Sequence, residues 1–232
     1  MITVCIATFN GEKYIREQLN SILFQLSLQD EVIVSDDGST DNTISIIKSF
    51  NDNRIKIIDG VHRHSPTLNF ENALKEAKGD YWKDDKVKIC LKWLQHYDCI
   101  ISDAEVTDEN LKIISPSLYQ LMNIKSGRVY NILYKNGYTG CCMAFTRRVK
   151  EAALPFPKDI PMHDIWIGNV AAFLYKVKFI DDKLIYFRRH SLTISCNGKG
   201  SRYSLYKRLM FRVSIVKKII LLIHKIKGLT TH

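Results

Sequence analysis

The chain has 232 residues, a formal net charge of +10, and hydrophobic and charged fractions of 46% and 25%, the composition of a globular protein with room for one domain and a sizeable core. Six cysteines without a CxxC pair make neither a zinc ribbon nor a disulfide framework and predict a reducing, cytoplasmic setting. No apolar run reaches the ~18 residues of a membrane span, the first residues lack the basic start of a signal peptide, and no nucleic-acid motif accompanies the positive charge.

Ile2, Val4, Ile6 and Ala7 predict a first strand, which runs into the polar turn Thr8, Phe9, Asn10 and Gly11. Ile15, Leu19, Ile22 and Leu23 follow at i, i+4, i+7 and i+8, one stripe of a helix. Val32, Ile33 and Val34 are a β-branched run too short for a helix, so they predict a buried second strand with Asp36 and Asp37 at its carboxyl end. Gly38, Ser39, Thr40 and Asp41 then turn the chain and cap a helix carrying Ile44, Ile46, Ile47 and Phe50. Two strands thus end in polar turns on one edge, the edge where open parallel sheets bind ligands. By themselves such residues are equally those of an ordinary strand-turn-helix corner. Ile55, Ile57 and Ile58 predict a third strand, and the loop after Asp59 is basic, with His62, Arg63 and His64.

The succession ATFNG, a helix, then VIVSDDGSTDNT resembles the nucleotide-sugar domain of family 2 glycosyltransferases, inverting enzymes of the GT-A fold. The resemblance implies an α/β fold, a Rossmann-like, mostly parallel sheet flanked by helices. It implies that Thr8, Asn10, Asp36 and Asp37 hold the nucleoside of a UDP- or dTDP-linked sugar, Asp37 at the base ring. Arg63 either approaches the nucleotide, as a basic residue of this region does in some relatives, or is a solvated loop charge. The resemblance also implies a divalent cation, Mn or Mg, on an acidic DxD motif that follows a strand. Here the match breaks. LNFENALKEAKGDY leads at Tyr81 straight into Trp82 and KDDKV, which match the family's segment beyond that motif, so the strand and its carboxylates are not in the sequence. Either the natural chain carries them between Tyr81 and Trp82, or the sheet closes without them and the chain is a catalytically silent nucleotide-sugar- or glycan-binding subunit. Asp84 and Asp85 read as the cap region of the helix bearing Val87, Cys90, Leu91 and Leu94 rather than as metal ligands, and the metal site is left unassigned.

Cys99, Ile100 and Ile101 predict a further strand, after which DAEVTDENLKIIS predicts a hairpin turning at Asp108 to Asn110, with Asp103 as either a sugar contact or a turn carboxylate. Residues 121–134 predict helical segments, and GYTGCCMAF resembles the family's glycine-containing strand beside the acceptor. His163, Asp164 and Trp166 match the HD-x-W motif of rhamnosyltransferase-like members, whose Asp is the catalytic base; on periodicity alone Asp164 is an N-cap. Residues 178–180 and 184–187 predict a hairpin turned at Asp181 and Asp182, delivering Arg188, Arg189 and His190. LIYFRRH resembles the family's Y-x-R-x-H ending, in which Arg189 and His190 would meet the diphosphate or metal. From Arg202 to Lys227 there are Lys and Arg residues but no Asp or Glu. Leu205, Leu209, Val213, Val216, Ile220 and Ile223 recur there at i+3 and i+4, predicting a basic amphipathic helix that meets an anionic membrane surface or packs on the core.

The sequence therefore predicts a GT-A domain over residues 1–201 and a basic helix and tail over 202–232. The expected activity is transfer of a sugar, with inversion, to a hydroxyl of a surface glycan or lipid-linked acceptor at the inner face of the membrane. A third class, a basic membrane- or nucleic-acid-surface module, would bind with steep salt dependence and ignore nucleotides.

Overall fold

The computed structural model describes residues 1–60, 65–76, 84–158, 160–189 and 204–229. The chain divides into two compact units, residues 1–95 with 144–155, and residues 96–143 with 156–232.

The first unit is built on β1 (Thr3–Thr8), β2 (Glu31–Asp36) and β3 (Ile55–Asp59), paired in parallel in the order β1-β2-β3. The register places Thr8 opposite Asp36 and Asp36 opposite Asp59, so the three strands finish level at one edge. Helices α1 (Glu12–Leu23), α2 (Thr43–Lys48), α3 (Pro66–Glu76), α4 (Asp84–Leu94) and α7 (Arg147–Ala153) complete this unit. The α1 stripe is the predicted one: Ile15, Leu19, Ile22 and Leu23 are buried. They join Val4, Ile6, Val32 and Val34 in one apolar cluster. Each such side chain contributes about 1.5–3 kcal/mol when fully buried. Asp84 opens α4 and Asp85 follows it, exposed, as an acidic start at a helix's positive end prefers. The Tyr81–Trp82 junction lies outside the described residues.

The second unit centres on β4 (Cys99–Thr107), β5 (Ile113–Ser115) and β7 (Val177–Arg188). β4 is one nine-residue strand and pairs antiparallel with β5 through the predicted turn, where Asp108 Oδ1 accepts from the N–H groups of Asn110 and Lys112, both at 2.9 Å. The hairpin expected at Asp181 and Asp182 does not form. Those residues lie inside β7, which pairs in parallel with β4 along its whole length. The register steps from Ser102 opposite Ile180 to Asp103 opposite Lys183, so the two aspartates are taken up as a bulge instead of a turn. Helices α5 (Leu118–Met122), α6 (Arg128–Leu133) and α8 (His163–Leu174) surround this sheet with α9 (Leu205–Leu229). Within GYTGCCMAF only Met143–Phe145 form a strand, β6; Gly140–Cys142 form a 3₁₀ turn. On α9 the packed residues are Ile215 and Ile219, whereas Leu209, Val213 and Ile220 of the predicted stripe are exposed.

Candidate nucleotide site and acid-base site

At the level edge of the first unit, four predicted residues come together and divide their work. Thr8 is buried, and its carbonyl accepts from the Asp37 N–H at 2.9 Å. Asn10 takes a left-handed conformation, with φ of +49°. Its Oδ1 accepts from the Thr40 N–H at 2.8 Å, and its own N–H donates to Ser39 Oγ at 2.8 Å, which fastens the β1 turn to the loop after β2. Asp36 is spent on that same loop. Its Oδ2 accepts from the Ser39 N–H at 2.8 Å and its Oδ1 from Ser39 Oγ at 2.5 Å. Asp41 continues the brace, accepting from the N–H groups of Glu12 and Thr43 and from the Thr43 hydroxyl.

Asp37 is different. It is 3% exposed, and among the described residues its Oδ1 is buried without a hydrogen-bond partner. An unmet buried acceptor costs about 1–3 kcal/mol, more for a charged one, so the fold keeps this oxygen at a price that a donor from a ligand would remove.

Two asparagines of this edge, Asn69 and Asn72, are not singled out by the sequence, and Gly60 reads there only as part of the loop after Asp59. Asn69 Nδ2 donates to the Ser35 carbonyl at 2.9 Å, and Asn72 Nδ2 donates to the Asp59 carbonyl at 2.8 Å, so α3 holds the ends of β2 and β3. Two Asn three apart on one helix face were the available signal. Gly60 lies against the two aspartates: its N–H donates to the Asp36 carbonyl at 2.6 Å, and a Cβ there would fall 2.5 Å from that oxygen and 2.7 Å from Asp37 Cα. Gly60→Ala must therefore displace backbone, and we expect it to lower stability by about 1–3 kcal/mol, seen as a lower thermal midpoint by circular dichroism. An unchanged midpoint would show that the edge yields to a methyl group.

In the second unit, Asp164 occupies the first turn of α8. Its Oδ2 accepts from the Gly140 N–H at 3.1 Å and its Oδ1 from the Ile165 N–H at 2.8 Å. Gly140 is there because a side chain would not fit: a Cβ would stand 2.9 Å from His163 Nε2. The carboxylate is thus aimed by two backbone donors and sits at the positive end of a twelve-residue helix. Burial lowers the His163 pKa below the ordinary 6.5, with the Asp164 charge opposing the shift. The imidazole is accordingly neutral at pH 7. Because the unfolded chain takes up this proton first, the group favours the folded state above about pH 6.5 and that contribution is lost as pH falls toward the depressed value.

Asp103 is a brace. Its carboxylate accepts from Ser117 Oγ at 2.6 Å and from the N–H groups of Tyr119 at 2.9 Å and Ala104 at 2.8 Å, which fixes the start of α5. Arg189 stands just past the end of β7, its N–H on the Thr107 carbonyl at 2.8 Å, at the carboxyl ends of β4 and β7. Arg63 and His190 lie outside the described residues. Among the described residues no three His, Cys, Asp or Glu side chains gather as a metal site.

Residues 3–154 match the family model described as glycosyl transferase family 2. The chain is 26% identical to the dTDP-rhamnosyl transferase RfbG of Shigella flexneri over 247 aligned positions, covering 91% of this chain and 82% of that protein. Among solved structures it is similar to S. aureus TarS 1–349 in complex with UDP-GlcNAc, with a TM-score of 0.66 and 21% identity over 93% of this chain and 66% of that one. It is also similar to the mannosyltransferase PcManGT from Pyrobaculum calidifontis in complex with GDP-Man and Mn2+, with a TM-score of 0.56 and 18% identity over 84% of this chain and 58% of that one. The chain therefore spans somewhat less than two thirds of the length of these solved relatives.

Proposed function

The chain belongs to glycosyl transferase family 2 and has the GT-A fold, and from that premise we propose that it transfers a sugar from a UDP- or dTDP-linked donor to a hydroxyl of a surface glycan or lipid-linked acceptor. The observation that carries the reading is the buried Asp37 oxygen without a partner among the described residues, on the edge where parallel strands bind ligands. A pyrimidine ring N–H is a donor of the right kind for it. Thr8, Asn10 and Asp36 shape the turn against which the nucleoside lies, and the donor named for RfbG and the ligand of TarS are both pyrimidine nucleotide sugars.

In the proposed reaction Asp164 takes the proton of the acceptor hydroxyl as its oxygen attacks the anomeric carbon. The bond from that carbon to the diphosphate breaks with inversion, and the bond electrons leave on the diphosphate. Arg189, with Arg63 and His190 as further candidates, supplies positive charge to the leaving group. A divalent cation would add to that charge, and PcManGT holds Mn2+ with its donor. The described residues do not make a site for one, so no step is assigned to it. The RfbG alignment is longer than this 232-residue chain, so that relative has internal residues without a counterpart here. The place where the family resemblance breaks, between Tyr81 and Trp82, is where an acidic segment of that kind would fall. If instead the sheet closes without such a segment, the second reading applies, a silent nucleotide-sugar- or glycan-binding subunit.

Calorimetric titration with UDP, dTDP and GDP tests the site. Binding of a pyrimidine diphosphate in preference to GDP is expected, and no binding of any of the three would overturn the assignment. Sugar transfer to a lipid-linked acceptor with added Mn2+ or Mg2+ then separates the enzyme from the silent subunit.

A further inference from the structure

Helix α9 is apolar on two opposite sides. Ile215 and Ile219 face inward and are buried in the second unit. At 3.6 residues per turn, Tyr206, Met210, Val213, Lys217 and Leu221 lie roughly 180° around the helix from that line, with Leu209 and Ile220 on its flank. All are exposed, Tyr206 by 73% and Leu221 by 68%. A helix needs one apolar face to dock on its own protein; this one has six large apolar side chains facing outward as well. The cations nearby are partly tied down on the protein side. Arg212 Nη2 donates to the Tyr134 carbonyl at 2.6 Å, and Lys218 Nζ donates to the Lys158 carbonyl at 2.7 Å. Lys217 is exposed in the middle of the apolar outer face. No helix among the described residues is long and apolar enough to cross a membrane.

We propose that this outer face is a docking surface for an anionic lipid bilayer. α9 would lie in the interfacial plane, with Tyr206, Leu209, Met210, Val213, Ile220 and Leu221 at the acyl boundary and Lys217 among lipid phosphates. Charge decides between a bilayer and a second copy of the chain. Residues 202–227 contain no Asp or Glu, so two copies meeting across this face would set lysines against one another with no counter-charge. Anionic headgroups supply that charge, and their spacing adapts to it. The proposal deepens the acceptor reading above, because a lipid-linked acceptor is found at such a surface, but its evidence is independent of the nucleotide site.

Co-sedimentation of the full chain with phosphatidylcholine vesicles, with and without phosphatidylglycerol, tests it. Wild-type protein should bind only the anionic vesicles and be released by salt. Replacing Leu209, Val213 and Leu221 together by Ser should lower the partition coefficient about tenfold or more, with circular dichroism and thermal midpoint unchanged. Lys217→Glu should weaken binding and flatten its salt dependence, and this single variant decides the matter if the triple one fails to fold. Absence of wild-type binding, or equal binding by the variants, overturns the proposal. So does a wild-type dimer by sedimentation equilibrium that the triple variant makes monomeric, without vesicle binding. UDP titration of the same preparations reads the nucleotide site separately, so either proposal can fail alone.

Discussion

Asp164→Asn is expected to reduce sugar transfer by at least ~10² while leaving the affinity for the nucleoside diphosphate nearly unchanged. The substitution is close to isosteric, and the amide oxygen still accepts from the Gly140 N–H that holds Oδ2 at 3.1 Å, while the bond from the Ile165 N–H to Oδ1 is given up. The tie between Gly140 and the first turn of α8 is therefore retained. What disappears is a group that can take a proton at neutral pH. A loss confined to the rate constant, with donor binding by calorimetry intact, separates a base from a helix cap. If the variant turns over as fast as wild type, the two backbone donors on Asp164 serve only to begin α8.

The strands and the site were legible in the sequence to different depths. Val32 to Val34 and the α1 stripe were readable because both faces of a parallel strand and one face of its helix must be apolar, and no other element offers those patterns at those lengths. The turn at Asp108 was readable because a side-chain oxygen bonding backbone two to four residues on is what Asp does in tight turns. Asp181 and Asp182 carry the same signal and do not turn, because β4 pairs in parallel with the chain on both sides of them and the two residues are taken up as a bulge. On α9 a 3.6-residue period was present but its phase was not determined: with apolar residues on two faces, the stripe through Leu209 and Val213 competes with the line through Ile215 and Ile219. Only the tertiary partner chooses between them. At the proposed nucleotide edge, residue type alone could not tell Asn10 and Asp36, which build the loop, from Asp37, which has an oxygen unmet among the described residues. A polar turn and a polar binding site use the same amino acids, and the hydrogen-bond ledger distinguishes them.

Asp37→Ala should weaken binding of a pyrimidine nucleoside diphosphate by ~1–3 kcal/mol, through loss of a charged acceptor. It should not lower the thermal midpoint of the free protein, and a rise is the expected direction. Asp37 Oδ1 is buried with no partner among the described residues, so removing the carboxylate removes a desolvation penalty, and no hydrogen bond to that oxygen is lost. The Asp37 N–H bond to the Thr8 carbonyl belongs to the backbone and persists in the variant. Asp36→Ala supplies the contrast. Its carboxylate accepts from Gly38, Ser39 N–H and the Ser39 hydroxyl, so its removal should lower the midpoint and reduce binding only as the loop loosens. Paired calorimetry and thermal melts on the two variants therefore separate a ligand-directed carboxylate from a fold-directed neighbour. A lower midpoint for Asp37→Ala with unchanged nucleotide affinity would reverse the roles and return Asp37 to the structure of the turn.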